Sequence, residues 1–390
     1  MAGVLRGKQN NIPMKFLSFN SAFALLGSVV ILSSCGNNSK NTAGSDSAAT
    51  DTATTTTETA LKPAGPPPEW GKTIHPEMQA VIEKLVSYGD KPIETLSAAD
   101  ARKNHTPTDA VMDLIKENNI MLPAPGVDTA GKNIPVAGGN VHLRIYTPKT
   151  GTGPYPVIVY YHGGGFVIAD LDVYNASAQG LAEQVGAVVV SVAYRLAPEF
   201  KFPTAHNDSF AAYEWVVKNA ASIKGDPKKI AVVGESAGGN LAANVSIMAR
   251  DKKIMVPVHE VLVYPIAQAD MTTESYKTYA DAHPLNKAMM AWFTKNYVTA
   301  MPEAEDPRIS LVNANLKGLP STTIITAEID PLNSDGIMLA AQLKAAGVTV
   351  DSKNYAGVTH EFFGMAAVVP QAKDAQAYAA DQLKKAFEKK

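Results

Sequence analysis

The five residues Gly234-Glu235-Ser236-Ala237-Gly238 fit the pattern G-x-S-x-G. They stand between an apolar run, "KIAVV", that reads as a strand and a stretch, "NLAANVSIMARD", that reads as a helix. A sharp turn at that junction lifts a serine hydroxyl above the sheet, and flanking glycines relieve the crowding. The helix that starts there points its N-terminal dipole at any negative charge developing over the serine. The chemistry implied is nucleophilic attack by Ser236.

A serine hydroxyl at its ordinary pKa is a weak nucleophile and needs a base, itself oriented by an acid. Acid and then base are expected downstream of such an elbow. "STTIITAEIDPLNSDG" puts Asp330 at a strand end, before a proline turn. Its rivals are Glu328, two residues back on the same side of the strand, and Asp335, which reads as the start or cap of the next helix. Three histidines follow Ser236. His259 begins a strand, His283 precedes a proline, and His360 lies in a loop after the last strand, so His360 is the expected base.

Acyl transfer also needs N–H donors for a tetrahedral oxyanion. "HGGGF", from His162 to Phe166, follows the strand-like "PVIVYY". Residues without Cβ let backbone approach a ligand closely. Gly163 and Gly164, with the N–H of Ala237 after the serine, are the expected oxyanion hole. Phe166, Tyr264 and Phe362 are candidates for an apolar substrate pocket.

The positioning elements follow from periodicity. "HPEMQAVIEKLVSYG" and "TPTDAVMDLIKEN" show helical spacing before any strand. Strand-length runs then occur at "VHLRIYTPK", "PVIVYYH", "AVVVSVAY", "KIAVVGES", "HEVLVYP", "STTIITAE" and "VTVDSKNY", mostly separated by helix-like stretches. This alternation predicts an α/β fold, a largely parallel sheet covered on both faces. A helical stretch, "MTTESYKTYADAHPLNKAMMAWFTKNYVTA", interrupts it as a candidate lid.

The 390 residues are 46% hydrophobic and carry a formal net charge of −2. A nucleic-acid binder would show a basic excess. A single cysteine, Cys35, excludes intramolecular disulfides and cysteine-rich metal sites. Residues 1–35 hold only Arg6, Lys8 and Lys15 as charges, then an apolar run from Phe16 to Leu32. This reads as a secretory signal, with Met14 an alternative start. Leu32-Ser33-Ser34-Cys35 resembles a bacterial lipobox, which implies lipidation at Cys35 and an exported protein anchored to a membrane of the cell envelope. Removing those three positive charges takes −2 to −5. Residues 36–72, rich in Ser, Thr and then Pro, read as a disordered tether, which leaves 73–390 as the folded domain.

"HGGGF", "YRLAPE" (Tyr194 to Glu199), "GESAGG", "DPL" at Asp330 and His360 together resemble the bacterial hormone-sensitive-lipase-like carboxylesterases of the α/β-hydrolase fold, from about Val141 to the C-terminus. The resemblance implies hydrolysis of short- to medium-chain acyl esters through an acyl-serine intermediate, without metal or cofactor. It assigns Ser236 as nucleophile, His360 as base then acid, Asp330 as the orienting acid, and Gly163, Gly164 and Ala237 as the oxyanion hole. It makes the helices at about 73–125 a cap over the acyl pocket. Two departures stand out, since many members have Asp at the position of Glu235 and Gly at that of Glu361. Arg195 and Glu199 read as a charge pair near the glycine loop. The alternatives are a serine peptidase or amidase on the same fold, and a non-catalytic ligand-binding homologue.

Overall fold

The computed structural model describes residues 61–389; the expected signal segment, Cys35 and most of the tether lie outside them. Eight strands form one sheet: β1 (Val127–Val136), β2 (Gly139–Pro148), β3 (Tyr155–Tyr161), β4 (Val188–Ala193), β5 (Gly225–Glu235), β6 (Glu260–Val263), β7 (Thr322–Ile329) and β8 (Val350–Thr359). Their order is β1-β2-β4-β3-β5-β6-β7-β8. Only β2 runs antiparallel to its neighbours; from β4 to β8 every pairing is parallel, as Ile158 opposite Val189 and Val232 opposite Glu260 illustrate.

Strand periodicity divides the core in two. Val157, Val159 and Tyr161 of β3 point to one face and Ile158 and Tyr160 to the other, and all five are fully buried. Such β-branched, doubly buried strands need helices on both sides. One face is covered by Thr204–Asn219, Ala237–Asp251 and Asn333–Ala345. The other is covered by Pro76–Ser87, Pro107–Glu117, Asn175–Val185 and Pro370–Glu388.

Three features depart from the sequence reading. β1 was not expected, because Val127 and Ile134 are its only buried residues and it forms an edge hairpin with β2. A two-residue turn closes that hairpin, with Gly138 at φ +76°. The C-terminal helix Pro370–Glu388 also escaped notice; its buried stripe is largely alanine, a weak hydrophobic signal. The folded region also begins before residue 73. Leu61 is buried, and the Gln79 amide donates to the carbonyls of Gly65 and Pro66 at 2.9 and 3.0 Å.

Candidate active site

β5 ends at Glu235, and the helix Ala237–Asp251 begins two residues later, so Ser236 makes the whole turn alone. It does so at φ +56°, ψ −118°, a conformation that costs a non-glycine residue roughly 1–3 kcal/mol. Hydrogen bonds hold it there: Ser236 N donates to Val263 O at 2.9 Å, and its carbonyl accepts from Asn240 and Ile266. The turn is tight enough that a Cβ on Gly238 would lie 1.9 Å from Tyr161 O.

β8 delivers His360 one residue beyond its end, and β7 delivers Asp330 one residue beyond its own. His360 Nε2 lies 2.9 Å from Ser236 Oγ, and Nδ1 lies 2.7 Å from Asp330 Oδ2. Asp330 is fully buried, and its Oδ1 accepts from Leu332 N at 2.8 Å. Burial alone would lower the imidazole pKa. The charge and hydrogen bond of Asp330, then Glu361 and Glu235, outweigh it and hold His360 above its ordinary value.

The rivals stand elsewhere. Glu328 accepts from Thr73 Oγ1 and Gly357 N. Asp335, buried in its helix's first turn, does not cap that helix; it accepts from Ala267 N, Gln268 N and the Gln268 amide. His259 bonds Ser321 and Thr323, and His283 meets Trp70 edge-on.

The glycine loop is rigidly braced. Tyr194 donates to His162 O at 2.7 Å and to Gly163 O at 3.1 Å. Gly164 has φ +95°, and its carbonyl accepts from both Val167 and Ile168. The N–H groups of Gly163 and Gly164 have no protein acceptor among the described residues, and Ala237 N–H is the first of its helix, an unpaired position by construction.

Beside the loop lies a small apolar cleft, partly open to solvent, lined by Phe166, Ile266, Met271, Met290, Phe293 and Tyr297 among others. Of the three expected pocket residues only Phe166 lines it. Tyr264 and Phe362 are instead fully buried beside His360: Tyr264 donates to Glu235, and its ring meets Phe362 at 5.9 Å. No residue of 73–125 lines the cavity either. The expected lid helix, Lys287–Tyr297, forms its wall, and the segment after the first helix braces that wall, with Trp292 Nε1 donating to Leu96 O.

The expected pair of Arg195 with Glu199 is also corrected. Arg195 grips buried Asp208 through two nitrogens at 2.8 and 2.7 Å, while Glu199 binds Arg102. Beneath the elbow, Glu235 accepts from Tyr160 and Tyr264. Burial, then the charge of Glu361, pushes its carboxyl up to about 7.

With this geometry established, comparison with known proteins is direct. Residues 158–364 match the pattern of the α/β-hydrolase-fold family. The ethyl acetate hydrolase of Pseudomonas putida is 30% identical over 310 residues, 77% of this chain and 95% of that protein. This chain belongs to that family, in its hormone-sensitive-lipase-like carboxylesterase branch. A second member, the carboxylesterase NlhH of Mycobacterium tuberculosis, is 40% identical over 252 residues, covering 64% of this chain and 79% of its own. The crystal structure of a thermostable esterase from Pseudomonas putida superposes with a TM-score of 0.74 at 34% identity, covering 82% of this chain and 99% of that one. Tyr174, which bonds Glu361 and abuts Gly163, is a neighbour of the site that sequence reasoning passed over: a lone tyrosine ahead of a helix carries no signal of its contact with the glycine loop.

Proposed function

We infer that this α/β hydrolase is a serine carboxylesterase in which Ser236, His360 and Asp330 act in relay. The observation that carries the residue roles is the continuous contact Ser236 Oγ–His360 Nε2–His360 Nδ1–Asp330 Oδ2, at 2.9 and 2.7 Å. Ser236 Oγ attacks the ester carbonyl while its proton passes to His360 Nε2. Asp330 keeps the ring's other proton on Nδ1 and offsets the imidazolium charge. The N–H groups of Gly163, Gly164 and Ala237 receive the oxyanion, and each such donor contributes about 2.7–4 kcal/mol to barrier lowering. Collapse returns the proton from Nε2 to the leaving alcohol. Water then repeats the sequence on the acyl-serine and releases the carboxylic acid.

The apolar cleft beside Phe166 is the proposed acyl site, its hydrocarbon lining suited to the acyl part of a short- to medium-chain ester. Related proteins are ester hydrolases by name, which favours esters over the amide and non-catalytic readings. A chain-length series of p-nitrophenyl esters on wild type and Ser236→Ala tests this. Turnover by wild type and its loss in the variant are expected; turnover surviving in Ser236→Ala rejects the nucleophile.

From residues 1–35 we further propose export and lipidation at Cys35, followed by membrane anchoring in a bacterial envelope. Labelled palmitate should mark the wild-type chain and leave Cys35→Ala unmarked. Label on the variant rejects the assignment.

A further inference from the structure

Glu361 directly follows the base, and its backbone is left-handed, at φ +68° and ψ 2°. That turn brings its carboxylate back over the site. Oε1 lies 4.0 Å from His360 Nε2, with only a fifth of the side chain exposed, and it accepts the hydrogen bond of the Tyr174 hydroxyl. The same hydroxyl abuts the oxyanion loop: a Cβ on Gly163 would lie 2.2 Å from it. One carboxylate therefore reaches the nitrogen that exchanges protons with Ser236 and, through a tyrosine, the backbone that would receive the oxyanion.

We propose that Glu361 is a positioning residue for ester hydrolysis, stabilising the His360 imidazolium from the Nε2 side, opposite Asp330, and bracing Gly163 through Tyr174. This rests on the assignment of Ser236 and His360 made above. During attack the proton moves from Ser236 Oγ to His360 Nε2 and later to the leaving alcohol; Glu361 takes up none. Asp330 faces Nδ1 at 2.7 Å, so without Glu361 the Nε2 end of the cation would face only neutral or transient partners at close range. Around His360 stand Ser236, Asp330, Glu361 and the ring of Tyr264. Behind Glu361 stand Tyr174, Tyr160 and Glu235, and across the loop His162 and Tyr194. Glu235 is more remote from Nε2 in effect, because two tyrosine hydroxyls already claim its oxygens. Burial lowers the His360 pKa, and Asp330, then Glu361 and Glu235, raise it.

The test is the pH profile of kcat/KM on p-nitrophenyl butyrate for wild type, Glu361→Gln and Tyr174→Phe, with Ser236→Ala alongside. Glutamine keeps an acceptor for Tyr174 and removes only the charge. Its acid limb is expected to move down by roughly one pH unit, with kcat lowered several-fold and KM little changed. Glu361→Asp should recover part of that shift. Tyr174→Phe, which leaves the charge, should lower kcat without moving the limb. Should glutamine not fold, Glu361→Gly suits the left-handed backbone and reads the same limb. A Glu361→Gln or Glu361→Gly profile with the wild-type limb overturns the proposal while leaving the esterase reading intact. Activity persisting in Ser236→Ala overturns that reading instead.

Discussion

Tyr264 lays its ring 4.4 Å, centroid to centroid, from the His360 imidazole and turns its hydroxyl away to Glu235. The base therefore rests on an aromatic face whose polar end is held by a fully buried carboxylate. Tyr160 donates to the same carboxylate from β3. Three strands thus meet under the elbow through one side chain, and the state of that side chain bears on stability.

Glu235 has its carboxyl pushed up to about 7 from 4.5, chiefly by burial and then by Glu361. A raised carboxyl favours the protonated form in the folded state. Its contribution is fully present below pH 4.5 and is lost as pH rises through about 7. Glu235→Gln, permanently neutral, should gain on wild type by up to about 3 kcal/mol across that window and no further above it. Melting temperatures of the two proteins at pH 4.5 and 7.5 check this. A gap independent of pH would show that Glu235 is charged at no cost.

Asp330→Asn keeps the shape of the acid and removes its charge. Asparagine also permits the wrong imidazole tautomer, so kcat should fall roughly 10⁴-fold. Asp330 is the leading cause that raises His360; its loss should move the acid limb of the residual activity to lower pH. An unchanged limb would point to another acid as the partner of His360.

Gly164→Ala should damage stability and turnover together. Glycine present only so that a ligand can approach the backbone would make turnover fall far more than stability. In the structure, however, a Cβ at Gly164 would meet Ile168 O at 2.2 Å, at φ +95°. The carbonyl of Gly164 also anchors the following turn. A cost of roughly 1–3 kcal/mol from the backbone conformation alone is expected, visible as a lower urea midpoint, alongside lost activity. A variant that melts like wild type would mean that the loop can shift to admit the methyl.

That Ser236, His360 and Asp330 meet was legible in the sequence, because each occurs at a strand end and in a fixed order. Ser236, Asp330 and His360 follow β5, β7 and β8, and the Val- and Ile-rich runs of β5 and β7 announce themselves. What was not legible depends on side chains meeting across the fold. Arg195 was matched to Glu199 on proximity in sequence, yet Asp208, one turn into the following helix, is the acid that faces it. Tyr264 and Phe362 read as pocket aromatics, but the hydrogen bond of Tyr264 to Glu235 and the packing of its ring on His360 and Phe362 bury both away from the cleft. Likewise β1 carries too few buried residues to show a strand period.

The Arg195–Asp208 pair yields a contrast with Arg102–Glu199. Asp208 is 1% exposed and takes two hydrogen bonds from the Arg195 side chain and one from its backbone N–H. Removing one partner of a buried pair strands the other charge, so Asp208→Ala should cost about 3–5 kcal/mol. Glu199 is half-exposed, and Glu199→Ala should cost no more than about 1 kcal/mol. Chemical denaturation of both variants separates the two cases. Equal losses would mean that the surface pair, which also ties Arg102 to the loop at Ala197, carries as much of the fold as the buried one.

The cavity wall supplies a prediction about chain length. Met290 and Phe293 project from Lys287–Tyr297 into the space beside Phe166. Phe293 also packs against Gly165, where a Cβ would meet its ring at 2.3 Å, so shortening Phe293 would disturb the loop as well as the pocket. Met290 has no such second role at the loop, and its truncation opens space at a cost of about 2–5 kcal/mol in stability. Met290→Ala should therefore raise kcat/KM for longer acyl chains relative to acetate by roughly 10-fold or more, since each methylene accommodated in an apolar pocket contributes about 1–3 kcal/mol. Rates on acetate, butyrate, hexanoate and octanoate esters of p-nitrophenol give the ratio directly. A chain-length profile parallel to that of wild type would place the acyl group outside this cavity.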